Sequence, residues 1–292
     1  MNTMDSLNRE ERLTLRQIQT HMRDVMRAQQ GVVEQVGTVD VYFHPTNPDP
    51  YLNCVTPHRG VAWVRRDDLN HAFAGLERLG RIPRLVFQDA LFPAAFQQQL
   101  TLMGLSLEDQ RTVLVYRPIF GPLMPEETPR ERVPDSFDPA VSVSLATTQQ
   151  EIAVWLRVFR AGYYNTELLA VDPDIVKPLV MAALRGEKVF VMANYEQAPL
   201  GAARLGLRNN TAEIEAVVTA PLWHGMGLEP ALIGMSVHTA LARGANTVFS
   251  VAPPGDFIRL YRNLGFVELT HVLTFWLSEE NARRIAKGEK QR

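Results

Sequence analysis

The chain is poor in cysteine. It carries one, Cys54, among 292 residues, so no disulfide can close within it. That agrees with a reducing compartment. Long apolar runs are missing too, and none approaches the ~18 residues that mark a spanning helix. The opening stretch, MNTMDSLNREERLT, lacks the apolar core of a secretory signal. These absences predict a cytoplasmic protein with no membrane partner. An excess of charge is also lacking: 30 Lys and Arg stand against 32 Asp and Glu, for a net charge of −2. Nothing in that balance draws the whole chain to nucleic acid. The basic C-terminal run NARRIAKGEKQR reads as a solvated tail. Metal-ligand spacing is absent as well. The seven histidines form no HxH or HxxxH pair, so no metal is expected. Ser236, in Gly234-Met235-Ser236-Val237-His238, lacks the second glycine of a nucleophile elbow. Cys54 lies in the strand-like PYLNCVTP and reads as a small buried residue.

What is present is the composition of a soluble globular protein: 46% hydrophobic and 21% charged residues. At ~150 residues per domain, this length predicts two domains. Leu15, Ile18, Met22, Val25 and Met26 recur at helical spacing, and Asn8 followed by Glu11 resembles a capping box. A helix is predicted over 9–30, stopped by Gly31. TVDVYF and YLNCVT read as strands. DDLNHAFAGLERLG, RLVFQDA, PAAFQQQLTLMGL and RTVLVYRP then read as helix, strand, helix, strand. Prolines 118, 122, 125, 129, 134 and 139 crowd the next stretch, a density that no core element tolerates. A linker is placed over 118–139, between domains 1–117 and 140–292.

Beyond the linker, VSVSLAT reads as a strand and TTQQEIAVWLRVFRAGY as a helix. DPDIVKPLVMAALRG reads as helical, with a break open at Pro178. Residues 188–219 read as three strands joined by turns at Glu196-Gln197 and Asn209-Asn210. LEPALIGMSVHTALARG is a helix, NTVFSVA a strand and DFIRLYRNLGF a short helix. FVELTHVLTFWL is a final strand or pair. The order helix, strand, helix, strand occurs in 67–117 and again in 228–277, which suggests a duplicated unit.

The stretch TAPLWHGMGLEPAL follows a strand and precedes a long helix. A helix N-terminus leaves N–H groups unpaired and carries a partial positive charge, so it receives phosphate readily. Gly225 and Gly227 would let the backbone come close to such a ligand. It is not a Walker loop, because no Gly-Lys-Ser/Thr follows. A Rossmann fingerprint would need a glycine where Pro230 stands.

PLWHGMGLE resembles the acetyl-CoA loop of the GNAT N-acetyltransferase superfamily, with Pro221, Trp223, Gly225, Gly227 and Leu228 as the matching positions. Tyr261-Arg262-Asn263-Leu264-Gly265-Phe266 resembles the Tyr-x-x-x-Gly-Phe signature of the same family. The resemblance covers about 141–278. It implies an α/β (α+β) fold whose mixed, mostly antiparallel sheet, flanked by helices, splays open between two strands where acetyl-CoA lies. The first half resembles a degenerate copy, with Pro57-His58-Arg59-Gly60 where the loop should be. In architecture the pair resembles mycothiol synthase and other tandem members. The implied activity is transfer of acetyl from acetyl-CoA, as co-substrate, to a primary amine of a small molecule or peptide. A longer acyl group, a homo-oligomer and a decayed, ligand-binding or scaffolding relative all stay open.

Within that resemblance Val217, Val218 and Thr219 would offer strand backbone to the pantetheine arm. His224, Gly225, Met226, Gly227, Leu228 and Glu229 would surround the pyrophosphate. His224 and Glu229 depart from the usual loop, which has Arg or Gln and Gly or Ala there. Two like charges ~4 Å apart repel by on the order of 4 kcal/mol at an effective dielectric of ~20. Glu229 therefore either opposes the ligand or swings outward as a favourable acid of the first turn. Strand alternation puts Glu213, Glu215 and Val217 on one face, with the two carboxylates roughly 6.6 Å apart. Such closeness would raise one pKa toward that of a useful base. Glu213, eleven residues before His224, resembles in position the glutamate base of the family's histone acetyltransferases, so the resemblance implies Glu213 as the base, with Glu215 second; a solvated groove for a cationic substrate is the other reading. Tyr261 aligns with the family tyrosine that faces the thioester sulfur, or belongs to the core. Tyr163 and Tyr164 are candidates for the wall of the acceptor site.

Overall fold

The structure is a computed structural model that describes residues 7–28, 31–61, 63–117 and 140–277. The linker expected at 118–139 lies outside the described residues, as does the basic tail. The chain packs as two compact units. One takes in the residues up to Val113 and those from Leu269 on; the other runs from Leu114 to Glu268.

The first unit opens with α1 (Arg9–Ala28). Asn8 Oδ1 accepts from the Glu11 N–H at 2.9 Å, and Glu11 accepts from the Asn8 N–H at 2.8 Å. The reciprocal cap satisfies two donors that the helix start leaves orphaned. Next come β1 (Val32–Val36), β2 (Val39–Phe43), β3 (Cys54–Pro57), α2 (Arg66–Arg78), β4 (Arg84–Gln88), α3 (Ala95–Leu102) and β5 (Ser106–Tyr116). Strand β1 is not in the sequence reading. It lies largely exposed, paired with β2, so no apolar alternation announces it. The hairpin between them turns at Gly37, where φ is +55°, a left-handed value that glycine accepts without strain.

Strands β1, β2 and β3 are antiparallel neighbours, β3 runs parallel to β4, and β4 pairs antiparallel with β11 (Phe266–Trp276). The sequence reading kept this last strand with the second domain, whereas from Leu269 its residues group with the first unit. Alternation then builds the core. Val39, Val41, Val55, Leu85, Phe87, Leu273 and Phe275 meet Leu69, Phe73 and Leu76 of α2 and Phe96 and Leu100 of α3.

The second unit holds β6 (Val141–Ala146), α4 (Gln149–Tyr164), α5 (Pro173–Leu184), β7 (Lys188–Tyr195), β8 (Ala198–Arg208), β9 (Thr211–Thr219), α6 (Leu228–Ala242), β10 (Thr247–Ala252) and α7 (Asp256–Asn263). Strands β6 to β9 form an antiparallel meander, and β10 joins β9 in parallel. The β7–β8 turn places both Glu196 and Gln197 at positive φ, the twist that a two-residue hairpin favours. Helix α5 continues through Pro178, so the break left open there does not occur.

The meander has a core on each face. On one, Leu228, Leu232 and Val237 of α6 pack on Val189, Leu205 and Ile214. On the other, Ile152, Trp155 and Leu156 of α4 and Val176 of α5 pack on Phe190 and Ala202. The Trp155 indole N–H donates to the Ala203 carbonyl at 3.0 Å, so its polar atom is satisfied inside the core. Each unit is thus a mixed, mostly antiparallel sheet with helices against it. In each, a strand, a helix and a parallel strand follow in order: β3–α2–β4 and β9–α6–β10. Among the described residues no helix is long and apolar enough to cross a membrane.

Candidate cofactor and catalytic site

The site grows from one local failure of pairing. Strand β9 pairs with β8 as far as Thr219. With β10 it pairs over Thr211, Ala212 and Glu213 alone. From Ile214 on, the two strands part, which leaves a stretch of β9 backbone with its second edge unladdered. The parting has a side-chain marker. The Ser250 hydroxyl donates to the Ile214 carbonyl at 2.9 Å, at the first step where a ladder bond would have followed. A polar side chain satisfies the buried carbonyl there, so opening the strands leaves no orphan at that point.

Beyond the splay, the chain turns sharply into α6. Leu222, Gly225 and Gly227 all have positive φ, at 72°, 81° and 76°. A Cβ on either glycine would meet nothing within 4 Å, so the glycines are needed for backbone conformation and not for space. Gly227 caps α6 from the left-handed region. The first-turn N–H groups of Leu228 and Glu229 have no partner inside the helix, and Pro230 has no N–H to offer. Trp223 packs beside Tyr195, their ring centroids 5.4 Å apart.

Glu229 does not swing outward. Its side chain is 12% exposed, and its Oε1 accepts from the Thr219 hydroxyl at 2.9 Å. The same hydroxyl lies 2.7 Å from His224 Nδ1. A hydroxyl has one proton, and here it is given to Glu229. Thr219 therefore accepts from His224, which fixes the imidazole proton on Nδ1. His224 itself reaches solvent, 67% exposed.

On β9 the two glutamates have different fates. A bulge falls there, because Ile214 pairs with Leu205 and Ala216 with Arg204, which leaves Glu215 unopposed. The bulge breaks the expected alternation. Val217 joins Ala212 and Ile214 in the core under α6, and so does not share the face of the glutamates. Glu215 is bound by Lys188 and by Arg204 Nε at 2.6 Å. Burial pushes its carboxyl up, but Lys188 and Arg204 outweigh that and hold it below the ordinary range. The expected mutual raising of the pair therefore fails for Glu215, which is a fixed anion. Gly206 makes the room: a Cβ there would sit 2.4 Å from the Glu215 carboxylate. Arg204 also lies over the Phe159 ring, 5.6 Å from its centroid. Glu213, opposite Gly206 in the ladder, is half-buried at the last pair before the splay.

Tyr261 is 3% exposed and packs edge-on against Phe266 at 4.8 Å. Its phenol bonds to Ser250, and burial pushes its pKa well up, with the charge of Glu213 adding to the rise. The proton stays on the oxygen at neutral pH. Tyr163 and Tyr164 are 62% and 63% exposed at the C-terminal end of α4, where Gly162 lies against Thr219 and Val218. The structure thus gathers Glu213, Ser250 and Tyr261 at the splay, and Thr219, His224 and Glu229 at the loop. Lys188, Arg204, Ser250 and Gly162 are absent from the sequence reading. Ser250 alone had a signal, a hydroxyl inside the apolar run VFSVA. No group of three or more His, Cys, Asp or Glu suited to a metal occurs among the described residues.

Several known proteins share this architecture. A GCN5-related N-acetyltransferase from Kribbella flavida superimposes with a TM-score of 0.63 at 15% identity, over 92% of this chain and 96% of its own. A GCN5-related N-acetyltransferase from Sphaerobacter thermophilus gives 0.58 at 11% identity, over 87% and 84%. A tandem GNAT protein from the clavulanic acid biosynthesis pathway gives 0.56 at 14% identity, over 81% and 77%. At such identities the likeness is one of fold. No curated protein matches the chain. Residues 152–266 match the model of the acetyltransferase (GNAT) family, and the span contains the splayed strand, the glycine loop, α6 and Tyr261. Over these residues the chain is similar to the GNAT acetyltransferase family.

Proposed function

We propose that the second unit transfers an acetyl group from acetyl-CoA to a primary amine of a small molecule or peptide. The observation that carries this is the parting of β9 from β10 after Glu213, directly before a positive-φ glycine loop that opens a helix. The backbone of Val217, Val218 and Thr219 would run beside the pantetheine arm. The N–H groups of Gly225, Met226, Gly227 and Leu228, with His224, would face the pyrophosphate.

Glu213 is the proposed base. The ammonium loses a proton to its carboxylate, and the neutral nitrogen attacks the thioester carbonyl. The C–N bond forms, the C–S bond breaks, and the thiolate leaves with a proton from the Tyr261 phenol. Ser250 holds that phenol in place. The first unit is proposed as a non-catalytic copy, because its β3–α2 connection HRGVAWVR has one glycine where the β9–α6 loop has two.

The test is turnover of acetyl-CoA against a panel of primary amines, read as free thiol released. Glu213→Gln should lower kcat and shift its pH profile. A profile that does not move removes Glu213 as the base. The second reading, a decayed and non-catalytic relative, is favoured by the inward pose of Glu229. It predicts no saturable binding of acetyl-CoA at millimolar levels.

A further inference from the structure

We propose that Glu229 is a stand-in anion that shuts the glycine loop, and that a phosphate-bearing ligand opens it by taking over the donors that hold Glu229. The inference rests on the acetyl-CoA reading of this site. It turns the awkward carboxylate from a mark of decay into a working part.

Three observations carry it. The first is convergence. His224 Nδ1 meets the Thr219 hydroxyl at 2.7 Å, that hydroxyl meets Glu229 Oε1 at 2.9 Å, and His224 Nδ1 lies 3.4 Å from the same oxygen. The proton order His224 to Thr219 to Glu229 follows from donor chemistry. The relay therefore ends on one anionic oxygen, with the Thr219 hydroxyl donating to it and the His224 N–H behind that hydroxyl. A phosphate oxygen would ask for the same relay, and it cannot serve both anions at once.

The second is burial against type. An acid in the first turn of a helix is ordinarily free to lie in water while it favours the positive end of the dipole. Glu229 is instead 12% exposed, laid over Thr219, which is 1% exposed. The carboxylate lies against the Thr219 hydroxyl at the end of β9.

The third is the lightness of the hold. Among the described residues, the basic side chain that reaches Glu229 is His224, at 3.4 Å, and not a lysine or arginine. Glu215, thirteen residues before Leu228 at the same helix start, shows the contrast, gripped by both Lys188 and Arg204. An anion held by a hydroxyl and an exposed imidazole can be exchanged for a stronger one. Gly225 and Gly227 lie between His224 and Glu229 and let the loop turn as it lets go.

The experiment is calorimetric titration of acetyl-CoA into the full chain, the Glu229→Gln variant and the Glu229→Ala variant, with each melting temperature measured first. Inorganic pyrophosphate, which has no pantetheine arm, is the second probe. If Glu229 is the stand-in, both variants bind acetyl-CoA at least tenfold more tightly than the wild type, and pyrophosphate shows the same ratio. Equal or weaker binding by the variants overturns the proposal while leaving the acetyl-CoA reading intact. Tighter acetyl-CoA binding without tighter pyrophosphate binding also overturns it, because Glu229 would then act away from the phosphates. No binding by any of the three proteins overturns the acetyl-CoA reading and this proposal together.

Discussion

A Cβ built on Gly162 would lie 2.5 Å from the carbonyl oxygen of Thr219 and 2.9 Å from the Cβ of Val218. Helix α4 therefore touches the end of β9 through bare backbone. Helix propensity alone would favour alanine at 162 by about 1 kcal/mol. Overpacking against backbone costs about 1–3 kcal/mol, and it wins here because neither neighbour is a flexible side-chain end. Gly162→Ala should lower the melting temperature and weaken acetyl-CoA binding by displacing Thr219. A more stable variant with unchanged affinity would show that α4 can simply step away.

Glu215 is proposed to be structural. Removing one member of a buried ion pair costs about 3–5 kcal/mol. Lys188 and Arg204 keep 20% and 34% exposure, so solvent screens part of their loss, and the low end of that range is expected. Urea unfolding of Glu215→Ala gives the figure. In the same background, Glu215→Gln should leave the pH profile of turnover where it was. A shifted profile would return Glu215 to the chemistry.

Stability should also fall with acid at the start of α4. Glu151 accepts from the Thr148 and Thr147 backbone N–H groups and from their hydroxyls, and these hold its carboxyl down to about 2, from an ordinary 4.5. A folded pKa below the unfolded one stabilises fully above the unfolded value and is lost as pH falls through the folded one. Glu151→Gln should thus lower the melting temperature near neutrality. The gap to wild type should close between about pH 4.5 and pH 2. A gap that persists at pH 2 would mean that the carboxylate charge is not what the cap uses.

Cys54 should be inert. It is 2% exposed, 3.8 Å from Met26 Sδ, and burial pushes its thiol up to about 12. Only the thiolate is a nucleophile. Dithionitrobenzoate at pH 8 should label no thiol in the folded protein and one in the unfolded protein. Rapid labelling of the native chain would show that α1 opens readily over β3.

Much of this was legible along the chain. The Asn8–Glu11 cap, the strands β7, β8 and β9 of the meander, the glycine loop and the Tyr261 helix each follow from short-range rules: capping, alternation, turn chemistry and positive φ. These act within a few residues, so a sequence displays them directly. Strand β1 escaped because an exposed edge strand owes no alternation to a core. Pro178 left a break open that the sequence could not close, because packing against α4 and β7 sustains α5 where local propensity would not.

The sequence by itself determined the fold class, the helices, the strands other than β1, and the place of the loop. The tertiary structure decided what the charged side chains do. Glu215 became a fixed anion through Arg204, eleven residues away, and Lys188, twenty-seven away, once a bulge had turned it toward both. Glu229 turned inward because folding brought the Thr219 hydroxyl to it. Charge is read from composition, but its partner is set by distance in space, and only the folded chain supplies that distance.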